Sequence, residues 1–177
     1  EVLHHARVGL RRLRAALSAF RQMLDAEGLN HARSETKWLA GELSEARDLD
    51  VFLQKTTSSD DIEDDARRAA FLRALRLAQA DAYDKALAAV GSERFRTLLL
   101  HLAEWIEAGA WQRLTADEAR GRREGPVSEL AGEILEKLDR RLRKRSRKFM
   151  KIDAAARHDL RKQAKKLRYA AAFFGEA

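Results

Sequence analysis

The chain is predicted to be all-α, with about six long helices folded into antiparallel hairpins. Three observations predict it. One proline and nine glycines in 177 residues leave few breaks in the backbone, which favours long helices over many short strands. Apolar residues recur at three- and four-residue spacing along most of the chain, the period of an amphipathic helix. A basic helical stretch, His4 to Arg14, returns 154 positions later as His158 to Arg168. In that register His4 matches His158, Arg7 matches Arg161, Arg11 matches Lys165, Arg12 matches Lys166 and Arg14 matches Arg168. Further along, Ala16 matches Ala170 and Phe20 matches Phe174.

Taken in order, the first helix is expected from about residue 2 to 26, stopping near Gly28. Ala6, Leu10, Leu13, Leu17, Phe20 and Leu24 share one arc and form its core face. His4, Arg7, Arg11 and Arg14 form a second stripe that borders this face, whereas His5 and Arg12 point away from it. A second helix is expected from Asn30 or Ser34 to about Lys55, with Trp38, Leu39, Leu43 and Leu53 among its apolar residues. Asp50 projects near the Leu39 and Leu43 direction, roughly as Glu35 and Glu42 do. An inward acid requires a cationic partner, and the arginine stripe of the first helix is the expected one.

Asp60 and Glu63 read as the cap and acidic first turn of a third helix reaching about Val90. Gly91 ends it and Ser92 is a candidate cap for a fourth, which carries Phe95, Leu98, Leu102 and Trp105. Residues 115–125, rich in charge and glycine, read as a flexible connection between a first bundle (1–114) and a second (126–177). Pro126 suits the first position of a fifth helix, whose face holds Leu130, Ile134, Leu138, Leu142 and Phe149. Arg145 falls inside that face, with Arg141 and Lys148 at its margin, so an anion is expected to meet them. Asp153 is the expected cap of a sixth helix with Leu160, Ala164, Leu167, Ala171 and Phe174 inward and His158, Arg161, Lys165 and Arg168 on the flanking stripe.

Charge narrows the function. The formal net charge is +7, but it is unevenly spread. Residues 137–168 hold fifteen Lys and Arg against three acids, residues 1–24 hold five against one, and the remainder is net acidic. Two basic ends around an acidic middle point to a polyanionic partner. The absence of cysteine excludes disulfides and thiolate metal sites. No His-Glu-x-x-His, nucleophile elbow, phosphate-cradling glycine loop or dinucleotide fingerprint occurs. His101 and Glu104 make one helical pair read as structural, and His5 and His31 read as surface groups. No metal, cofactor or catalytic residue is therefore assigned.

A row of cations at i, i+3, i+7 and i+10 advances about 15 Å along a helix, a pitch suited to successive phosphates of an extended chain. A nucleic-acid binder using the same basic surface is the alternative. Against it, no helix mixes Asn, Gln and Arg for base edges, and no aromatic row offers stacking. The chain shows no apolar run of about 18 residues and no signal-peptide pattern, so a soluble cytoplasmic protein is expected.

The segments His4-x-x-Arg7-Val8-x-x-Arg11-Arg12-Leu13-Arg14, Trp38-Leu39 followed by Ala46-Arg47-Asp48-Leu49-Asp50-Val51, and His158-x-x-Arg161-x-x-x-Lys165-Lys166-Leu167-Arg168-Tyr169 together resemble the CHAD domain, the conserved histidine α-helical domain. The three occur in the family's order and span nearly the whole chain. The resemblance implies two four-helix-type bundles related by a pseudo-two-fold axis. It also implies non-catalytic binding of inorganic polyphosphate by His4, Arg7, Arg11 and Arg14 and by His158, Arg161, Lys165 and Arg168. Arg141, Arg145 and Lys148 would extend that track, and Asp50 would orient it. A CYTH-type domain, fused or associated, is the partner the family implies, and polyphosphate granules are the matching location. The family continues past the Leu-Arg-Tyr helix with another hairpin, so the second bundle is expected to be incomplete here.

Overall fold

A computed structural model of the protein describes residues 2–57, 65–109, 111, 117–147 and 149–175. Among these residues every regular element is helical and no strand occurs. The order is α1 (Val2–Ala19), α2 (Ala26–Glu42), α3 (Ser44–Thr57), α4 (Asp65–Gly91), α5 (Glu93–Glu107), α6 (Asp117–Glu124), α7 (Val127–Ser146), a single 3-10 turn (Phe149–Lys151) and α8 (Ala154–Phe174). The chain divides into two compact units. One comprises Glu1–Leu10 with Asn30–Ala108, the other Arg11–Leu29 with Gly109–Ala177.

In the first unit the core is centred on Leu39, Leu43, Ala86 and Leu98, with Leu3, Leu10, Trp38, Phe95 and Leu102 packed around them. Much of the rest is small. Ala32, Ala46, Ala82 and Thr36 are almost wholly inaccessible, which lets the helix backbones come close together. The Thr36 hydroxyl donates to the Ala32 carbonyl at 2.6 Å, so its burial strands no polar atom. On α4 it is Ala82, Ala86 and Ala89 that are buried, while Leu77 and Leu87 are exposed.

The expected second helix is two helices. α2 ends at Glu42 and α3 begins at Ser44, with Leu43 at the break. The Leu43 carbonyl accepts a 2.9 Å hydrogen bond from Arg7 Nη1. Gly41, a poor helix former, lies two residues before the break. As expected, Ser92 caps α5. Its Oγ accepts from the Phe95 amide at 3.1 Å. α5 closes through Ala108 onto Gly109, whose φ of 65° is the left-handed conformation glycine adopts freely.

The second unit is built on a hairpin of α7 and α8, with Leu160 and Ala170 buried on α8 and Ala15, Leu17 and Leu29 buried nearer the chain start. Phe20 packs edge-on to Phe174, ring centroids 5.8 Å apart, and also lies against Phe173. Phe20 and Phe174 are matched to each other by the sequence repeat.

Several further expectations are corrected here. α1 stops at Ala19, not near residue 26. Asp25 captures the Gly28 amide at 2.7 Å and so caps α2, placing Gly28 in that helix's first turn. The expected connection at 115–125 contains α6, whose Arg122 donates to Gln22 Oε1 at 2.5 Å and whose Arg123 donates to the Met23 carbonyl at 3.3 Å. Pro126 stands at the N-cap of α7 and not inside it, and its carbonyl accepts from the Glu129 amide. Ala6, Ala164 and Ala171, expected inward, are exposed. The Asp60 and Glu63 cap lies outside the described residues.

Candidate polyanion-binding surface

α8 carries the second stripe. The Asp153 carboxylate caps it by accepting from the Ala156 amide at 2.7 Å, as expected, and sets its start. Leu160 and Ala170 hold its inner side in the core. His158, Arg161, Lys165 and Arg168 are all exposed. The Arg168 guanidinium lies 5.3 Å from the centroid of the Tyr169 ring. Arg161 also lines an open groove with Arg143 and Arg157 above apolar Leu142 and Phe149. Arg143 is already paired there, 2.7 Å from Asp139.

The first stripe is less uniform. His4 is exposed, its ring edge-on to His5 at 5.8 Å between centroids. Arg11 and Arg14 are exposed as well. Arg7 differs. Only 20% of its side chain is accessible, one nitrogen holds the Leu43 carbonyl and another lies 3.9 Å from Asp48. Its guanidinium is part of the first unit's architecture.

Asp50 does not meet the first stripe. It accepts from Gln79 Nε2 at 2.7 Å and from the Tyr83 hydroxyl at 2.9 Å, with Arg47 at 3.7 Å. It orients α4 against α3, and Arg7 lies near Asp48 instead. Burial, followed by the bond to Asp50, pushes the Tyr83 phenol above its usual range. Glu35 likewise finds another partner. Arg94 grips its carboxylate with both Nε (2.6 Å) and Nη2 (2.9 Å) while lying 4.2 Å over the Trp38 ring. That bond holds the Glu35 carboxyl below its ordinary value and raises Arg94.

On α7 the expected inward cations separate. Arg145 is half exposed and ion-paired to Asp159 on α8, so the anion that meets it belongs to the protein. Lys148 lies outside the described residues. Arg141 is exposed on the wall of a cavity of about 310 Å³ in the second unit. Arg21, Arg122, Lys137 and Lys166 also line it, against one acid, Glu133. Sequence reasoning missed Arg21, Arg122 and Lys137. The Lys137–Arg141 spacing of four was a visible signal for one of them, since such pairs share a helix face. Arg122 was hidden because its segment reads as a linker.

Among the described residues no group of three His, Asp or Glu side chains is arranged to hold a metal ion. No described helix is long and apolar enough to cross a membrane. Chemically, the arrangement offers cations on exposed helix rows and a basic cavity, which suits multivalent binding of phosphate-like groups.

No curated protein matches the chain significantly. A crystal structure of the CHAD domain from the plant Ricinus communis matches it with a TM-score of 0.74 and 33% sequence identity, covering 99% of this chain. The chain spans about half of that one, 55% of its length. The family model for the CHAD domain matches residues 1–177. With a model match end to end and a similar backbone at that identity, the chain belongs to the CHAD domain family.

Proposed function

We propose that this protein binds inorganic polyphosphate through exposed cationic rows on α1 and α8 and does not itself cleave it. The observation that carries the reading is the exposure of His158, Arg161, Lys165 and Arg168 along one face of a single helix. Their span of ten residues advances about 15 Å, so each can reach a different phosphate of one extended chain. Arg11 and Arg14 repeat the arrangement, and Arg141 adds a cation at the basic cavity. Arg7 is a minor contributor because its guanidinium already holds Leu43. A CYTH-type domain, fused or associated, supplies catalysis where catalysis accompanies binding, and cytoplasmic polyphosphate granules are the site of action.

Affinity is expected to come mainly from phosphate contacts and counterion release. Five exposed cations (Arg11, Arg14, Arg161, Lys165 and Arg168) at the single-strand value give a log–log salt slope of about −3.5. The test is a titration with long-chain polyphosphate at physiological salt, competed by duplex DNA, RNA and heparin. Replacing Arg11, Arg14, Arg161 and Lys165 with alanine should abolish binding and leave the helical signal intact. Equal or tighter binding to nucleic acid would favour the alternative partner. Release of phosphate in the presence of Mg²⁺ would overturn the non-enzymatic reading.

A further inference from the structure

Away from the basic rows, the first unit brings together two histidines that are 70 residues apart. His31 on α2 and His101 on α5 are both exposed. His101 Nδ1 and His31 Nε2 lie 3.1 Å apart, with ring centroids at 5.1 Å and planes inclined at 61°. Two neutral rings satisfy this contact as a single N–H···N bond, one ring donating and the other accepting. The same two nitrogens are also spaced as chelating ligands. Two imidazole nitrogens about 2.05 Å from a tetrahedral zinc stand about 3.3 Å apart. At the right angle of a square-planar copper site they stand about 2.9 Å apart. The observed spacing falls between these values, so a metal could enter with a displacement of a few tenths of an ångström.

We propose that His31 and His101 form a two-imidazole site for a late first-row divalent cation, Zn²⁺, Ni²⁺ or Cu²⁺, clipping α2 to α5. Imidazole nitrogen selects these ions over Mg²⁺ and Ca²⁺, which take oxygen ligands. Entry of the metal needs a lone pair on both facing nitrogens. The donor ring therefore releases its bridging proton to solvent and takes one up at its other nitrogen, with no net release when both rings start neutral. Glu35 does not complete the site, because Arg94 holds both its oxygens. Solvent fills the remaining positions, so the site is open and exchangeable. It does not depend on polyphosphate binding.

Calorimetric titration of the whole chain with Zn²⁺ or Cu²⁺, without polyphosphate, tests the assignment. One saturable site is expected, weakened at least about tenfold in His31→Ala and equally in His101→Ala, with no further loss in the double variant. His5→Ala should bind as the parent does. Zn²⁺ should raise the Tm of the parent and not that of either variant, and far-UV circular dichroism should be unchanged in all of them. Undiminished binding in both single variants, an equal Tm rise with Mg²⁺, or no saturable binding by the parent would each overturn the proposal.

Discussion

Arg7 separates two roles that the sequence pattern merges. The repeat places it in the row of proposed phosphate ligands, but its Nη1 donates 2.9 Å to the carbonyl of Leu43, a residue only 4% exposed. Arg7→Met keeps an apolar stem and deletes the donor. The Leu43 carbonyl then loses its charge-assisted partner in a place water reaches poorly. Such bonds contribute roughly 1.5–3 kcal/mol, so a loss of about 2 kcal/mol is expected. Asp48 adds little, since its side chain is 73% exposed and 3.9 Å away. At a urea dependence of about 2 kcal/mol/M this moves the midpoint of the first unit down by about 1 M. Tryptophan fluorescence reports it, because Trp38 and Trp105 both lie in that unit. Arg11→Met, at an exposed position, should stay within about 0.5 kcal/mol of the parent and instead weaken polyphosphate binding. If Arg7→Met unfolds at the parent's midpoint and loses binding as Arg11→Met does, the structural role assigned to Arg7 is wrong.

Other consequences are open to direct measurement. The Glu35 carboxyl is held below its ordinary value chiefly by the bond from Arg94, so its contribution is complete above about pH 4.3 and is lost as pH falls through the lowered value. Glu35→Gln should flatten that part of an acid-unfolding curve. Tyr83 is shifted the other way, by burial and then by Asp50. Its protonated form therefore favours the folded state below about pH 10 and that contribution fades as pH rises further. Tyr83→Phe should remove this alkaline loss and cost about 1 kcal/mol at neutral pH in urea unfolding. The Arg145–Asp159 pair has both side chains about half exposed, so Arg145→Ala should cost less than about 1 kcal/mol, and salt should shrink the difference.

The helical class was legible because apolar spacing and glycine scarcity are local properties. The caps at Ser92 and Asp153 were legible for the same reason, since a short oxygen-bearing side chain before an apolar run satisfies amides three residues ahead. Boundaries set by distant partners were not. The break at Leu43 is met by a guanidinium 36 positions away, and the turn after Ala19 is bound by arginines of α6 about 100 positions later. The stripe of α8 was read as bordering the core, and its four side chains are exposed. The partners of inward charged residues were misassigned because helical projection gives direction but not neighbours. Asp50 meets α4, Glu35 meets α5, and Arg145 meets an acid of its own hairpin. The His31–His101 pair had no local signature at all, its members being on different helices.

α4 turns the usual relation between side-chain size and depth inside out. Three of its alanines, Ala82, Ala86 and Ala89, are buried, while two of its leucines, Leu77 and Leu87, face water. A hydrophobicity plot would rank Leu77 and Leu87 as its most constrained positions and Ala82 as replaceable. The opposite ranking holds, since a larger side chain at Ala82 must push two backbones apart while a polar one at Leu77 displaces nothing. Random substitution would thus purge gains in bulk at the small positions and pass polar changes at the large ones. Over generations this helix would grow more hydrophilic outside while its interior alphabet stayed at one methyl group.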